Sequence, residues 1–458
     1  MRPAAVSCAR GVMQNSFKYV LILFTFCATV AQGITFESIQ EVIFGPDLLL
    51  VMDIPLLMLY ILGRKRIAPA PLARISMVLT YAFFAWSAVG LFFAPNIPFV
   101  NQELAANLRT LLIFLAIINF VNTKEDLQYL FLGFALGLFF QGSVAIHQWL
   151  RGPVGLYFLG EQPGDWQARG TFVHPSVAGF YFSLMSVLIF RMAVYLRPRF
   201  HPLYVFAFFF GVTALYATMN RANWLGFAGS MIIMFGLDFV RGKALTKKAR
   251  GLLAVIAVVA LIGAARYGTI IVERFSDSEK SMMGEHSSSR KSLALDAWRI
   301  INDHPLTGVG LNNYKEFVNK ETAGLQVVHC SYLLVAAELG YPGGLLFIAL
   351  IITFLFIGFR TRRSTDPFLY HISSAAVTGV IAFAIGMLPS PDYRNLYVKN
   401  HIWMVYGITL VVAKMEHYRR RMLADPRVRA QLAARRKALQ EQQEALAARR
   451  LPGMQGSF

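Results

Sequence analysis

Runs of about twenty apolar residues recur from one end of this 458-residue chain to the other. A helix of that length crosses a bilayer, and in lipid each backbone polar group must find its partner within the same segment. Hydrophobic residues make up 56% of the chain, where soluble domains average roughly 45–50% and lack such runs. The fold class read from this pattern is all-α: a polytopic membrane protein rather than a soluble enzyme with an anchor.

Hydropathy predicts about twelve spans, at about 17–33, 42–62, 74–94, 104–121, 126–150, 174–196, 202–219, 222–240, 251–271, 330–358, 370–388 and 398–415. The apolar start, Lys18 to Ile34, is followed by no small-residue cleavage pattern and reads as a retained first span. Four divisions follow: spans one to nine over 1–271, one large polar loop with amphipathic helices over 272–329, spans ten to twelve over 330–415, and a basic tail over 416–458.

The formal net charge of +19 would suggest nucleic acid in a soluble protein. Here its placement speaks of topology. Alternate connections carry Arg64, Lys65 and Arg66, then Lys124, then Arg191, Arg197 and Arg199, then Arg241 to Arg250, then Arg360 to Arg363. The loops near 34–41 and 95–103 hold no Lys or Arg. Basic loops stay cytoplasmic, which puts both termini inside and the large loop outside. The tail is basic, helix-forming and poor in aromatic residues for stacking, so it reads as a helix against anionic lipid and not as a nucleic-acid binder. Three cysteines, Cys8, Cys27 and Cys330, form no metal-type spacing and no disulfide framework. No internal repeat or matched pair of broken helices stands out, which weakens a transporter reading.

Several cations fall on the outward side, where short loops should lack them. Arg169 and His174 precede the sixth span, Arg221 opens the eighth, His329 opens the tenth, and Arg394, Lys399 and His401 precede the twelfth. Even-numbered spans then start outside, so these groups sit near helix N-termini. Cations oppose the dipole there, and an anion bound outside would satisfy both. Arg grips phosphate through its planar fork. Plainer readings stand beside this one. Arg394 and Lys399 can snorkel to headgroups, and His174, followed by Pro175, and His401 fit helix starts.

His329 is different. A histidine at a helix N-terminus is held neutral, the state a general base needs. Glu338, nine residues on, faces away from it on a straight helix and reads as an internal hydrogen-bonding group, with a flexible GYPGG behind it. In the loop, Leu293, Ala297, Ile300 and Ile301 have amphipathic helix spacing. Ser288 or Ser289 can cap that helix, Arg290 lies in its first turn, and His304-Pro305 ends it. The GVG that follows is too weak to indicate a dinucleotide site.

Together, GTFVHPSVAGFY, NRANWLG, SRKSLALDAWRIINDHPLTGVGLNNY and VHCSYLLVAAELGYPGG resemble the O-antigen ligase and polymerase superfamily of bacterial envelope glycosyltransferases, over about 170–350. The resemblance implies a multi-pass enzyme of the inner membrane with a large periplasmic loop and a periplasmic site. It would move a glycan from undecaprenyl diphosphate to a sugar hydroxyl without cofactor or metal, inverting the anomeric carbon. By motif, His329 would be the catalytic base, and Arg221 and Arg290 would hold the diphosphate. Arg169, His174 and Arg394 are candidate donor or acceptor contacts. The family's histidine is usually followed by Asn, and here Cys330 follows. The leading expectation is the ligase type, with lipid A-core as acceptor. A polymerase of the same superfamily, a protein O-oligosaccharyltransferase and a glycan flippase are the alternatives. A flippase predicts charges lining a path from both sides. Expected partners are the lipid-linked donor, the acceptor and membrane lipid, with no nucleic acid.

Overall fold

A computed structural model describes residues 16–29, 50–62, 71–151, 167–172, 174–195, 201–243, 246–254, 290–318 and 327–427, with scattered positions in 257–269 and 430–441. Among the described residues every regular element is a helix. We number them α1 (Ser16–Thr29), α2 (Leu50–Leu62), α3 (Pro71–Ser87, continued by a 3-10 turn to Phe92), α4 (Ile97–Phe120), α5 (Lys124–Arg151), α6 (Pro175–Val194) and α7 (His201–Ala217). Then come α8 (Arg221–Phe239), α9 (Arg290–Asp303), α10 (Tyr314–Phe317), α11 (Ser331–Thr361), α12 (Pro367–Gly386) and α13 (Leu396–Ala424).

Among the described residues, eight helices are long and apolar enough to cross a membrane, and three apolar helices, Ser16–Thr29, Asp53–Leu62 and His201–Ala217, are shorter. These coincide with the expected spans other than the ninth. The expected span at 251–271, the loop over 272–289 and the tail beyond Arg427 lie largely outside the described residues. The helix that carries the last expected span continues into the tail, which the sequence marks as helix-forming. Helix α13 runs unbroken to Ala424, and Glu416 takes hydrogen bonds from both Arg419 and Arg420 within it.

Helix α6 is buried along almost its whole length. It is apolar on every face, as a helix surrounded by others must be. It packs against α7, α8 and α12; α5 packs on α7; α12 also meets α8, α11 and α13; α13 lies on α4 and α11 on α3. The one long polar segment docks on the first half of α11. Leu293, Ala297, Ile300 and Ile301 of α9 are buried there with Val309, Tyr314, Val328, Leu334 and Ala337, the face that the spacing predicts.

Helix α11 is broken at Gly340, where φ is 68° and ψ is −178°. Pro342 has no N–H to give the Glu338 carbonyl, and the Tyr341 N–H turns to the Pro305 carbonyl at 2.8 Å. Two helix carbonyls are thereby freed. Val309 N–H donates to Ala337 at 3.0 Å and Gly310 N–H to Glu338 at 2.9 Å. The loop after α9 is thus stitched into the break. GYPGG is a fixed joint rather than the flexible stretch that its glycines suggest.

Candidate active site

The candidate residues converge where α6, α8, α9 and α11 begin. His174 is the N-cap of α6, its Nδ1 accepting the Ser176 N–H at 3.2 Å, with Pro175 in the first turn. Pro there gives up no helix hydrogen bond. Asn220 caps α8, its side chain accepting the Asn223 N–H at 3.1 Å, and Arg221 follows directly. Asn223 in turn donates from Nδ2 to the Ser176 carbonyl at 3.1 Å. The helix starts that carry His174 and Arg221 are therefore bonded to each other. Arg290 is the first residue of α9. The caps proposed for it at Ser288 or Ser289 lie outside the described residues.

His329 is half-buried, one residue before Cys330, the N-cap of α11. Its imidazole is held below its ordinary basicity, first by burial and then by the positive charges of Arg290 and His174. The structure thus brings His329, Arg290 and His174 within electrostatic reach of one another. The cause differs in emphasis from the one read in the sequence. Loss of water first, and neighbouring positive charge after it, lower the ring's basicity, where the helix dipole was expected to.

Sequence reasoning missed the floor of this site. Ser176 Oγ lies 2.7 Å from His174 Nδ1 and 2.9 Å from Asp392 Oδ1. Asp392 is buried in the 3-10 turn Asp392–Arg394. Burial pushes its carboxyl above the usual range, opposed by hydrogen bonds from Ser390 and Ser176 and by the charge of His174. That turn is anchored on α11. Ser331 N–H lies 3.0 Å from the carbonyls of both Met387 and Ser390, and its hydroxyl donates to Ser390 at 2.7 Å. Nothing local marks Asp392, which lies 216 residues from Ser176.

The remaining candidates are spread around this centre. Arg394 donates from Nη2 to the Asn312 carbonyl at 3.4 Å and acts on Glu338, whose carboxylate takes backbone N–H groups of Asn312 and Tyr314. Glu338 therefore belongs with Arg394 and the loop after α9, while Arg290 and His174 are the charges acting on His329. Lys399 does not snorkel. It is 3% exposed and pairs with Glu103 and with Asn107 Oδ1. Glu103, Ser331, Glu338, Arg394 and Lys399 share the wall of a cavity of about 20 Å³, room for one water. Arg169 lies in a loop docked on α5, where its N–H donates to Gln148 Oε1 at 3.1 Å. Its loop also reaches α7 through Ala168 N–H and the Ala217 carbonyl. Among the described residues no three His, Cys, Asp or Glu side chains could hold a metal ion.

These elements define a multi-pass helical membrane protein with a cationic, histidine-centred group at one end of its bundle. Residues 206–348 match the family model described as O-antigen ligase. The match takes in Arg221, Arg290 and His329, and supports a likeness of that part of the chain to the O-antigen ligase and polymerase superfamily, whose members are glycosyltransferase-like enzymes. His174, Asp392 and Arg394 fall outside the matched segment. No curated protein matches the chain.

Proposed function

We propose that the protein is an inner-membrane glycosyltransferase that moves a glycan from undecaprenyl diphosphate to a sugar hydroxyl on the periplasmic side, with lipid A-core as acceptor. The observation that carries this reading is a half-buried His329, its basicity lowered by burial and by Arg290, next to a helix start that bears Arg221. His329 removes the acceptor hydroxyl proton as the oxygen attacks the anomeric carbon. The new C–O bond forms opposite the bond that breaks, and the diphosphate leaves with the electron pair. Arg221 and Arg290 hold its charge as cations fixed on helix starts, positioned before the charge develops. Inversion follows from that single displacement. The reaction draws on no metal ion or cofactor.

In this reading the His329 end faces the periplasm. The other end of α6, α8 and α11 carries Arg191, Arg241, Lys243 and Arg362, a bias that keeps loops cytoplasmic. Residues 272–329 then form the periplasmic loop, and both termini lie inside.

Purified protein given an undecaprenyl diphosphate glycan, with and without lipid A-core, tests the proposal by release of the lipid diphosphate. Release that requires lipid A-core is expected. Chain growth without it would reassign the protein as a polymerase, and glycan transport in vesicles with no release would remove enzymatic transfer altogether. His329→Ala should be folded and inactive; an active variant would eliminate the base.

A further inference from the structure

The end of the bundle opposite His329 holds more positive charge than its carboxylate balances. Four helix ends meet there: Arg191 near the end of α6, Asp238 near the end of α8, Arg362 just after α11 and Tyr370 in the first turns of α12. Asp238 is the hub. Its Oδ2 is 2.7 Å from Arg191 Nη1, and its Oδ1 accepts from Arg362 Nη2 at 2.9 Å and from the Tyr370 hydroxyl at 2.5 Å. The turn after α8 adds two more cations. Lys243 Nζ sits 3.1 Å from the centroid of the Tyr370 ring. Arg241 donates to the Arg362 carbonyl and lies 5.8 Å from the same ring.

Among the described residues, four cations thus surround one carboxylate. Nearby acids are committed elsewhere, Asp366 to Lys124 and Glu416 to Arg419 and Arg420. Arg191 is wholly buried, and its Nε and Nη2 make no hydrogen bond. Unsatisfied N–H groups of a buried cation are costly. Burial also lowers the Lys243 amine, with Asp238 opposing and the three arginines adding to the effect.

An anion with several oxygens at the rim would meet Arg241 and Lys243 directly and offset the charge of Arg191 and Arg362 beneath. We infer that this cluster binds a phosphate group, presented by the headgroup of an anionic phospholipid in the facing leaflet. Helix ends lie at headgroup depth, and Arg241 and Lys243 are exposed, so a phosphate reaches the rim while Arg191 and Arg362 supply field from beneath. The site is separate from the proposed catalysis but shares its frame. The helices that it joins begin beside His174, Arg221 and His329, and α12 leads to Asp392.

The test uses the full chain in detergent, stripped of lipid. Phosphatidylglycerol, phosphatidylcholine and inorganic phosphate are added separately, with retained lipid read by native mass spectrometry and stability by Tm. We expect phosphatidylglycerol to be retained and to raise Tm. In Arg241→Gln/Lys243→Gln retention should fall at least fivefold and the Tm gain should vanish. Lys247→Gln/Lys248→Gln, exposed on the same segment but outside the cluster, should behave as wild type. If the double variant does not fold, Lys243→Gln alone carries the comparison. A Tm gain from inorganic phosphate that the rim variant abolishes would identify the source as soluble phosphate and leave the site standing. Unchanged retention in the rim variants, an equal fall in the control, or water-like indifference to all three additions would overturn the inference.

Discussion

Gly308→Ala probes how the segment between Arg290 and His329 is held. At Gly308 φ is +66°, and a Cβ would lie 2.4 Å from the Glu338 carbonyl carbon. The left-handed conformation costs a residue with a Cβ about 1–2 kcal/mol. The overlap is with backbone, so the loop must retreat, and the bonds from Val309 to Ala337 and from Gly310 to Glu338 are stretched or lost. Each contributes about 1 kcal/mol net, and its loss strands a helix carbonyl. The sum is about 3–4 kcal/mol against docking, or roughly 10²- to 10³-fold more frequent opening at tenfold per 1.4 kcal/mol. Gly242→Ala is the control: its φ is +67° but nothing lies within 4 Å, so it carries the conformational cost alone. Hydrogen exchange over 290–318 and 331–339, measured beside glycan transfer, should rise steeply with loss of transfer in Gly308→Ala and stay near wild type in Gly242→Ala. If Gly308→Ala exchanges and transfers like wild type, the stitched break does not hold the site together.

Removing the Arg290 charge should let the His329 pKa rise toward its ordinary value, since Arg290 lowers it. The acid limb of kcat/KM then moves to higher pH in Arg290→Gln and stays put in Arg290→Lys, which loses diphosphate binding instead; equal shifts in both would refute the coupling. Arg221→Lys should likewise lose much of the activity because an amine cannot fork across the diphosphate, and wild-type rates would remove Arg221 from the site. Asp392 has a raised folded pKa, so wild-type stability falls as pH climbs above the unfolded carboxyl value and the unfolded state ionises first. Asp392→Asn should flatten that fall in a Tm series from acid to neutral pH, and a parallel fall would show that Asp392 ionises freely. Asp238→Asn leaves buried Arg191 and Arg362 without their counter-charge, and should cost about 3–5 kcal/mol, read as a lowered Tm in detergent; an unchanged Tm would show the cluster to be balanced by other means.

Much of the architecture is written in local patterns. Apolar runs mark the helices because lipid leaves no alternative, and the 3–4 residue spacing of Leu293, Ala297, Ile300 and Ile301 marks the face of α9 that docks. His174-Pro175 and Asn220-Arg221 are legible as helix starts because capping chemistry is local. Pairings across long separations leave no such trace. Ser176 with Asp392, Lys399 with Glu103, and Arg191 with Asp238 and Arg362 each join residues that satisfy no periodicity together. Lys399 reads as a snorkelling lysine until α4 supplies its carboxylate. The break at Gly340 has a local cause in Pro342, but what fills it, Val309 and Gly310, belongs to a loop whose glycines carry no address.

The stitched break in α11 also sets an order of assembly. The loop after α9 bonds to carbonyls that exist only once residues 331–342 have been made and folded. Synthesis delivers 290–318 first, so this segment waits without its docking surface while the rest of the chain emerges. Arg290 and His329 meet only after α11 is in place, and Asp392 completes the floor later still. A partly synthesised chain therefore holds its basic groups apart, and competence for chemistry arrives with the last two helices.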